Sequence, residues 1–284
     1  MAQDTDFSQK IEQIFDQRST TLIMGILNVT PDSFFDGGRY LEESHWLEQT
    51  NKMVGAGADI IDIGACSTRP GSSQPSEAEE IERLLPVVKS VRKAYPQTLI
   101  SVDTYRSNVA IQAVDCGANI INDISGGTLD PNMFETVAKL NVPYVLMHIQ
   151  GNPQTMQENP VYTDVVAEVT VFFEENLKKL NSLGIKQVIL DPGFGFGKTV
   201  EHNFELLKNL DKFQQFKMPI LAGLSRKSMV NKLLNISSKD SLNGTSILNA
   251  IAVQNGAKML RVHDVIEAVE VVKICEKLKG NYLA

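Results

Sequence analysis

Seven polar side chains, Asn28, Asp103, Asn122, Asp191, Lys227, Arg261 and His263, stand at or one step beyond the trailing end of a short apolar run. The runs at 21–28, 99–103, 188–191 and 259–261 are too short for helices and rich in branched aliphatic residues, so they read as buried strands. Parallel strands that each end in a polar group deliver those groups to one common mouth. Two chemistries would meet there. Asp103, Asn122 and Asp191 offer carboxylates and an amide, while Lys227, Arg261 and His263, with Arg226, offer cationic or potentially cationic groups.

Buried carboxylates need partners. A ligand with several N–H groups along a planar edge, as in an aminopyrimidinone, would supply them; a metal cluster or a glycosidase acid pair would also fit these residues. Asp123 is the weakest member of the set, because a neighbour of Asn122 in an alternating strand faces the other way. There is no HxH, HExxH or Cys/His spacing, which argues against a zinc hydrolase. The cations fall after the last two strands, where parallel barrels commonly bind phosphate, and Ser228 lies near a helix start that would add attraction for an anion. Arg69, in Ser67-Thr-Arg-Pro-Gly71, could close over the same place. Any one of these residues alone would read as a surface ion pair or a structural histidine. Their convergence carries the reading.

The stretch Asp191-Pro-Gly-Phe-Gly-Phe-Gly-Lys198-Thr199 ends like a phosphate-binding loop, but the first glycine of that motif would fall on Pro192, and the dinucleotide spacing fails as well. It reads instead as a flexible glycine-rich loop that sets Asp191 and one or both of Phe194 and Phe196 against a flat ligand. Cys66, in the loop after the second strand, has no histidine at a suggestive position and reads as an inert thiol.

The elements that must position these groups repeat. Gly57-Ala-Asp-Ile-Ile-Asp-Ile-Gly64, Gly117-Ala-Asn-Ile-Ile-Asn-Asp-Ile124 and Gly256-Ala-Lys-Met-Leu-Arg-Val-His263 share one pattern, in which the first glycine ends a helix in the left-handed region before a buried strand. Further strands are predicted near 22–28, 98–103, 143–148, 187–191 and 219–224, with helices including 77–94, 106–115, 163–183 and 201–214. Eight strand-and-helix units predict an α/β fold, a (β/α)₈ barrel at 20–284. An open doubly wound sheet would give a similar string, but polar residues at nearly every strand end favour closure. Residues 1–19 form an amphipathic extension, with Phe7, Ile11, Ile14 and Phe15 at helical spacing for packing on the barrel's bottom or flank. The loops at 29–43 and 65–76 are long enough to act as lids.

With 284 residues, 43% hydrophobic and 21% charged, the chain is large enough for one such barrel. A net charge of −7 without a long basic cluster excludes a broad nucleic-acid surface. No apolar stretch reaches the roughly 18 residues of a membrane helix. An acidic N-terminus and three cysteines without CxxC spacing point to a cytoplasmic protein with reduced thiols.

Several motifs in order resemble the dihydropteroate synthase family. They are Met24-Gly-Ile-Leu-Asn-Val-Thr-Pro-Asp-Ser-Phe34 with Asp36-Gly-Gly38, Ser67-Thr-Arg-Pro-Gly71, Ser101-Val-Asp-Thr104, Ile121-Asn-Asp123, Met147-His148, the Asp191–Lys198 loop, Ser225-Arg-Lys-Ser228 and Arg261-Val-His-Asp264. The resemblance runs from about residue 21 to about residue 275. It implies a barrel enzyme of folate synthesis, a homodimer using Mg²⁺, that joins p-aminobenzoate to a dihydropterin diphosphate.

By the same resemblance Asp103, Asn122, Met147, Asp191, Phe196, Gly223 and Lys227 hold the pterin, and Thr68, Arg261 and His263 contact the diphosphate. Asn28 ligates the metal. Thr68, Arg69, Pro70, Phe196, Lys227 and Ser228 form the p-aminobenzoate side, and Asp36 joins Asp103, Asp191 and Lys227 in the reaction itself. A pterin-binding methyltransferase domain would lack the Asn-Val-Thr-Pro-Asp-Ser-Phe loop and the Arg261/His263 pair; a silent pterin-binding relative would bind without turnover. The one visible departure is Cys66, where the family usually carries Glu or Gln. Because that position touches no assigned ligand, Cys66→Glu is expected to leave steady-state turnover at its original order of magnitude; a rise by orders of magnitude would mean that the cysteine cripples the site.

Overall fold

Eight parallel strands alternate with helices along the chain: β1 (Leu22–Asn28), β2 (Ile60–Gly64), β3 (Leu99–Asp103), β4 (Ile120–Asp123), β5 (Tyr144–Met147), β6 (Val188–Asp191), β7 (Leu221–Ala222) and β8 (Met259–Val262). The helices are α1 (Ala2–Phe15), α2 (Gly38–Ala56), α3 (Glu77–Ala94), α4 (Ser107–Asp115), α5 (Met133–Leu140), α6 (Val165–Ser182), α7 (Val200–Lys208), α8 (Ser228–Leu234), α9 (Leu242–Gln254) and α10 (Val265–Leu278). The structure is a computed structural model that describes residues 2–16, 19–29, 38–66, 74–152, 155–157, 159–278 and 280; for 2–6 and 38–43 it describes the backbone only.

The strands pair in the order β6-β5-β4-β3-β2-β1-β8-β7. A parallel bridge between Leu190 and Ile220, with the Leu190 N–H donating to the Pro219 carbonyl at 2.9 Å, joins the two ends of that order. The sheet therefore closes into a barrel, and the doubly wound alternative is excluded. Gly57, Gly117 and Gly256 have φ of 102°, 106° and 94°, so the repeated unit ends its helix as its sequence predicts.

Strand alternation sorts side chains into two cores. Ile23, Ile61, Ile63, Ile100, Val102, Leu146 and Leu260 face outward into the layer shared with the helices. Leu22, Met24, Ile60, Leu99, Ile120, Val145, Ile189, Leu221 and Met259 face inward and fill the lower barrel. Two residues further along most of these strands, the inward positions become Asp62, Ser101, Asn122, Met147, Asp191, Gly223 and Arg261. The period of two thus stacks a polar layer on an apolar one.

Helix ends follow local chemistry. Ser76 and Glu79 form a reciprocal capping box at α3, and the Asp164 carboxylate accepts the Val166 and Ala167 N–H groups at α6. Two predicted boundaries differ. The helix predicted over 201–214 stops at Lys208 and continues as a tighter turn over Leu210–Phe216. The Asn209 amide donates to the Glu205 carbonyl and carboxylate, both at 2.8 Å, in the side-chain-to-backbone competition typical of Asn. The strand predicted over 219–224 shrinks to two residues, because Pro219 has no N–H to give and Gly223 adds no side chain to the ladder.

α1 lies under the barrel. Ile14 is fully enclosed in the lower core, and Phe7, Ile11 and Phe15 pack around it. No described helix is long and apolar enough to cross a membrane. Ile14→Ala should lower the unfolding free energy by about 2–5 kcal/mol, the usual range for emptying a packed aliphatic site. Denaturant titration checks this; an unchanged midpoint would mean that α1 does not seal the lower core.

Candidate active site

The polar layer at the upper barrel is organised around Arg261. Its Nε donates to Asp62 Oδ2 at 2.6 Å and its Nη2 to Asp103 Oδ2 at 2.8 Å. The guanidinium of β8 thereby reaches past β1 to carboxylates on β2 and β3. Asn122 of β4 donates through Nδ2 to the same Asp62 oxygen at 3.2 Å. Asp191, ending β6, accepts the Gly193 N–H at 2.8 Å. Lys227 caps α8 and sets its ammonium 4.2 Å from the centre of the Phe196 ring, a cation–π contact.

Burial governs the charges. It pushes Asp103 up to about 7, with Asp62, Glu80 and Asp123 adding to the rise and Arg261 opposing it. Asp191 is likewise raised by burial, against the Gly193 N–H, Lys227, Arg261 and Lys198. Lys227 falls to about 8 through burial and the charge of Arg261, despite Asp191 and Asp103. Burial alone would lower Arg261, but Asp62 and Asp103 outweigh it and keep the guanidinium charged.

One wall of the mouth is apolar: Met147 and Phe196 pack with Ile124 and Met156, with Tyr105 and Ile149 alongside. A Cβ added at Gly223 would meet no heavy atom within 4 Å, so this inward position leaves open space beside the polar layer. Asn28 ends β1 and is exposed at the rim. His263 is also exposed there; its N–H donates to Ser225 Oγ at 3.2 Å, and Ser225 Oγ lies 3.0 Å from Nδ1. Surrounding atoms, then the charge of Arg261, push its imidazole down to about 4.

The structure corrects two expectations. The loop after β6 is pinned rather than flexible. Lys198 is 3% exposed, and its Nζ sits 3.0 Å from His148 Nδ1 and donates to the carbonyls of Gly193 and Phe196, each at 3.0 Å. Tyr162 Oη and Gln157 Nε2 bond the Gly197 and Gly195 carbonyls, and Asn203 accepts the Gly195 N–H. Gly193 has φ 71°, and a Cβ there would fall 1.9 Å from the His148 carbonyl oxygen, so only glycine fits. Within this loop Phe196 faces the site, whereas Phe194 belongs to the outer core. Arg226 does not join the cations: it forks onto Asp264 at 2.9 and 2.7 Å.

Asp123 faces outward, as its place after Asn122 implied, and its carboxylate accepts from Ser125, Gly127 and Tyr144. Cys66 is half-buried; burial, then the carboxylates of Glu80 and Asp103, hold its thiol well above the ordinary range, consistent with an inert residue. Ser228 is the exposed first residue of α8. Asp36, Thr68, Arg69 and Pro70 lie outside the described residues.

The profile of the pterin binding enzyme family matches residues 24–263. A dihydropteroate synthase of Escherichia coli (strain K12) is 45% identical over 256 residues, which are 89% of this chain and 90% of that protein. The chain belongs to the dihydropteroate synthase family. A Yersinia pestis dihydropteroate synthase solved with a sulfonamide drug complex superposes with a TM-score of 0.86 at 41% identity, covering 92% of this chain and 95% of that one. The Xanthomonas albilineans dihydropteroate synthase with 4-aminobenzoic acid gives a TM-score of 0.86 at 36% identity, covering 94% of each chain. The fold of this dihydropteroate synthase family member is therefore that of the family's barrels.

Asp62 is the residue that sequence reading missed. It is 0% exposed and central to the Arg261 and Asn122 contacts. A signal was present: it occupies the same place, five residues after the glycine, as Asn122 and Arg261 do in their copies of the repeat.

Asp103 should ionise near pH 7, read as the pH-dependent carboxyl ¹³C shift that Asp103→Asn abolishes. Replacing Arg261 by Ala removes the guanidinium that holds this carboxyl down and should move the midpoint to higher pH. A midpoint near 4 in the unsubstituted protein would overturn this account of the site's charge.

Proposed function

We propose that this chain joins the amine of p-aminobenzoate to the methylene carbon of 6-hydroxymethyl-7,8-dihydropterin diphosphate, giving 7,8-dihydropteroate and diphosphate. The observation that carries the reading is the inward layer of Asp103, Asn122, Asp191, Lys227 and Arg261 beside the apolar Met147–Phe196 wall. A flat heterocycle with an N–H edge and a carbonyl suits that set: acceptors for its N–H groups, Lys227 for its carbonyl, and a thioether and an aromatic ring for its face.

Arg261 and His263 would meet the diphosphate. Asn28 fits a magnesium site in its chemistry, since its amide oxygen is a hard donor at the rim of the same mouth. Mg²⁺ there would neutralise charge on the leaving diphosphate. The carboxylate of p-aminobenzoate would bind near Ser228 and Lys227. Sulfonamides, as mimics of that arylamine, would compete at the same position.

The reaction is a dissociative displacement. The bond from the methylene carbon to the diphosphate oxygen breaks and the electron pair leaves with diphosphate. The resulting pterin cation is stabilised by its own ring and by the charges of Asp103 and Asp191. The arylamine nitrogen then bonds to the methylene carbon and loses a proton to solvent. An arylamine is nucleophilic at neutral pH, so no dedicated base is required.

We also propose that the chain works in the cytoplasm as a homodimer. In favour of the dimer, Ile247 and Ile251 on α9 and Ile266 and Ile274 on the adjacent α10 are exposed apolar side chains. The three cysteines are free, as fits a reducing compartment.

Incubation of the purified chain with both substrates and Mg²⁺ should yield dihydropteroate and diphosphate in equal amounts, and EDTA should suppress both. Pterin binding with neither product would overturn the synthase reading in favour of a silent pterin-binding protein.

A further inference from the structure

Two carboxylates share the Arg261 guanidinium. Asp103 takes Nη2, and Asp62, 0% exposed, is enclosed on Nε. Among the described residues only one of its oxygens is used: Oδ2 accepts from both Arg261 Nε and Asn122 Nδ2, while Oδ1 is enclosed without a hydrogen-bond donor. The hydroxyl of Ser101, which stands opposite Asp62 in the β2–β3 register, is also enclosed without a partner among the described residues. Burying a carboxylate with one oxygen unpaired is costly, so packing does not account for Asp62 at this position.

What the carboxylate does is orient its two neighbours. A carboxylate can only accept, so Asn122 must turn its NH₂ toward Asp62, and its carbonyl oxygen is left as the group offered to a ligand. With Nε given to Asp62 and Nη2 to Asp103, the Arg261 fork is fixed in rotation as well as in place. We propose that Asp62 is a positioning residue which, through one shared oxygen, sets Asn122 as an acceptor for the pterin edge and Arg261 as a donor for the diphosphate. Both ends of a single substrate are then aligned from one buried atom, whose residue occupies the same place in the internal repeat as the two it orients. This inference rests on the synthase reading for the nature of the ligand.

The test is calorimetric binding of dihydropterin diphosphate and of bare 6-hydroxymethylpterin to Asp62→Asn, Arg261→Ala and the double variant, with steady-state kinetics alongside. Asp62→Asn keeps the shape but presents an NH₂ that permits the Asn122 amide to turn over. It should weaken dihydropterin diphosphate by ~10–100-fold, as expected for disturbing charge-assisted hydrogen bonds. It should weaken bare pterin by less, and raise KM for dihydropterin diphosphate while leaving that for p-aminobenzoate within about twofold. In the Arg261→Ala background the extra loss for the diphosphate ligand should shrink to that for bare pterin, since only the Asn122 route remains. Equal losses for both ligands and both substrates, or a lowered melting temperature with binding intact, would overturn the proposal. Should Asp62→Asn fail to fold, Asp62→Ser, smaller and still an acceptor, is read by the same two binding constants. Because the readout is binding, a wild-type chain that binds both pterins without forming dihydropteroate would reject the synthase reading and still decide the role of Asp62.

Discussion

Charge compensation inside the upper barrel is the constraint on which the rest of the structure depends. A guanidinium cannot lose its proton, so once β8 carries Arg261 into the barrel its charge must be met there. Asp62 and Asp103 meet it from β2 and β3, across the intervening β1, and Asn122 joins from β4. Strands that are not neighbours are thus tied at their upper ends. The same ties hold the carboxyl groups in fixed geometry beside the place where a pterin cation would form, before any ligand arrives.

Below that layer the barrel is filled with apolar side chains and covered by α1, and it gives the polar layer a packed floor. Around it, the β6–α7 connection is fastened by Lys198, Tyr162, Gln157 and Asn203, so Phe196 is presented as a fixed wall and the Lys227 ammonium rests against it. The residues assigned to the pterin therefore come from strand ends, one pinned loop and the cap of α8, Lys227. This division fits a site that reads a flat, rigid ligand by geometry, since preorganised groups need no rearrangement at the moment of reaction.

Burial shifts the carboxylates up and the lysine down, which brings Asp103 and Lys227 toward neutral pH from opposite directions. Neither then needs an activated partner, and no nucleophilic side chain is required by a reaction whose nucleophile is the arylamine. Cys66 illustrates the same logic in reverse: beside Glu80 and Asp103, a thiolate is disfavoured, and the residue is chemically quiet next to a busy site.

Much of this was legible in the residue order. Strand length, the thrice-repeated glycine unit and the polar residue closing each run follow from periods of two and 3.6 and from the steric freedom of glycine, which are local properties of the chain. Together they pointed to the barrel, to the mouth residues and to the outward turn of Asp123. What local pattern could not decide was which polar groups touch across the barrel. Asp62 and Arg261 are 199 residues apart in sequence, and only closure of the sheet brings them to 2.6 Å; Arg226 and Asp264 likewise meet because β7 and β8 pair. The loop after β6 read as flexible because its glycines are visible in the sequence while the side chains that fasten it come from elsewhere in the fold. Residue order by itself determined the elements and the direction each side chain faces; tertiary structure alone decided the pairing of charges, because Coulomb and hydrogen-bond energies depend on distance in space and not on distance along the chain.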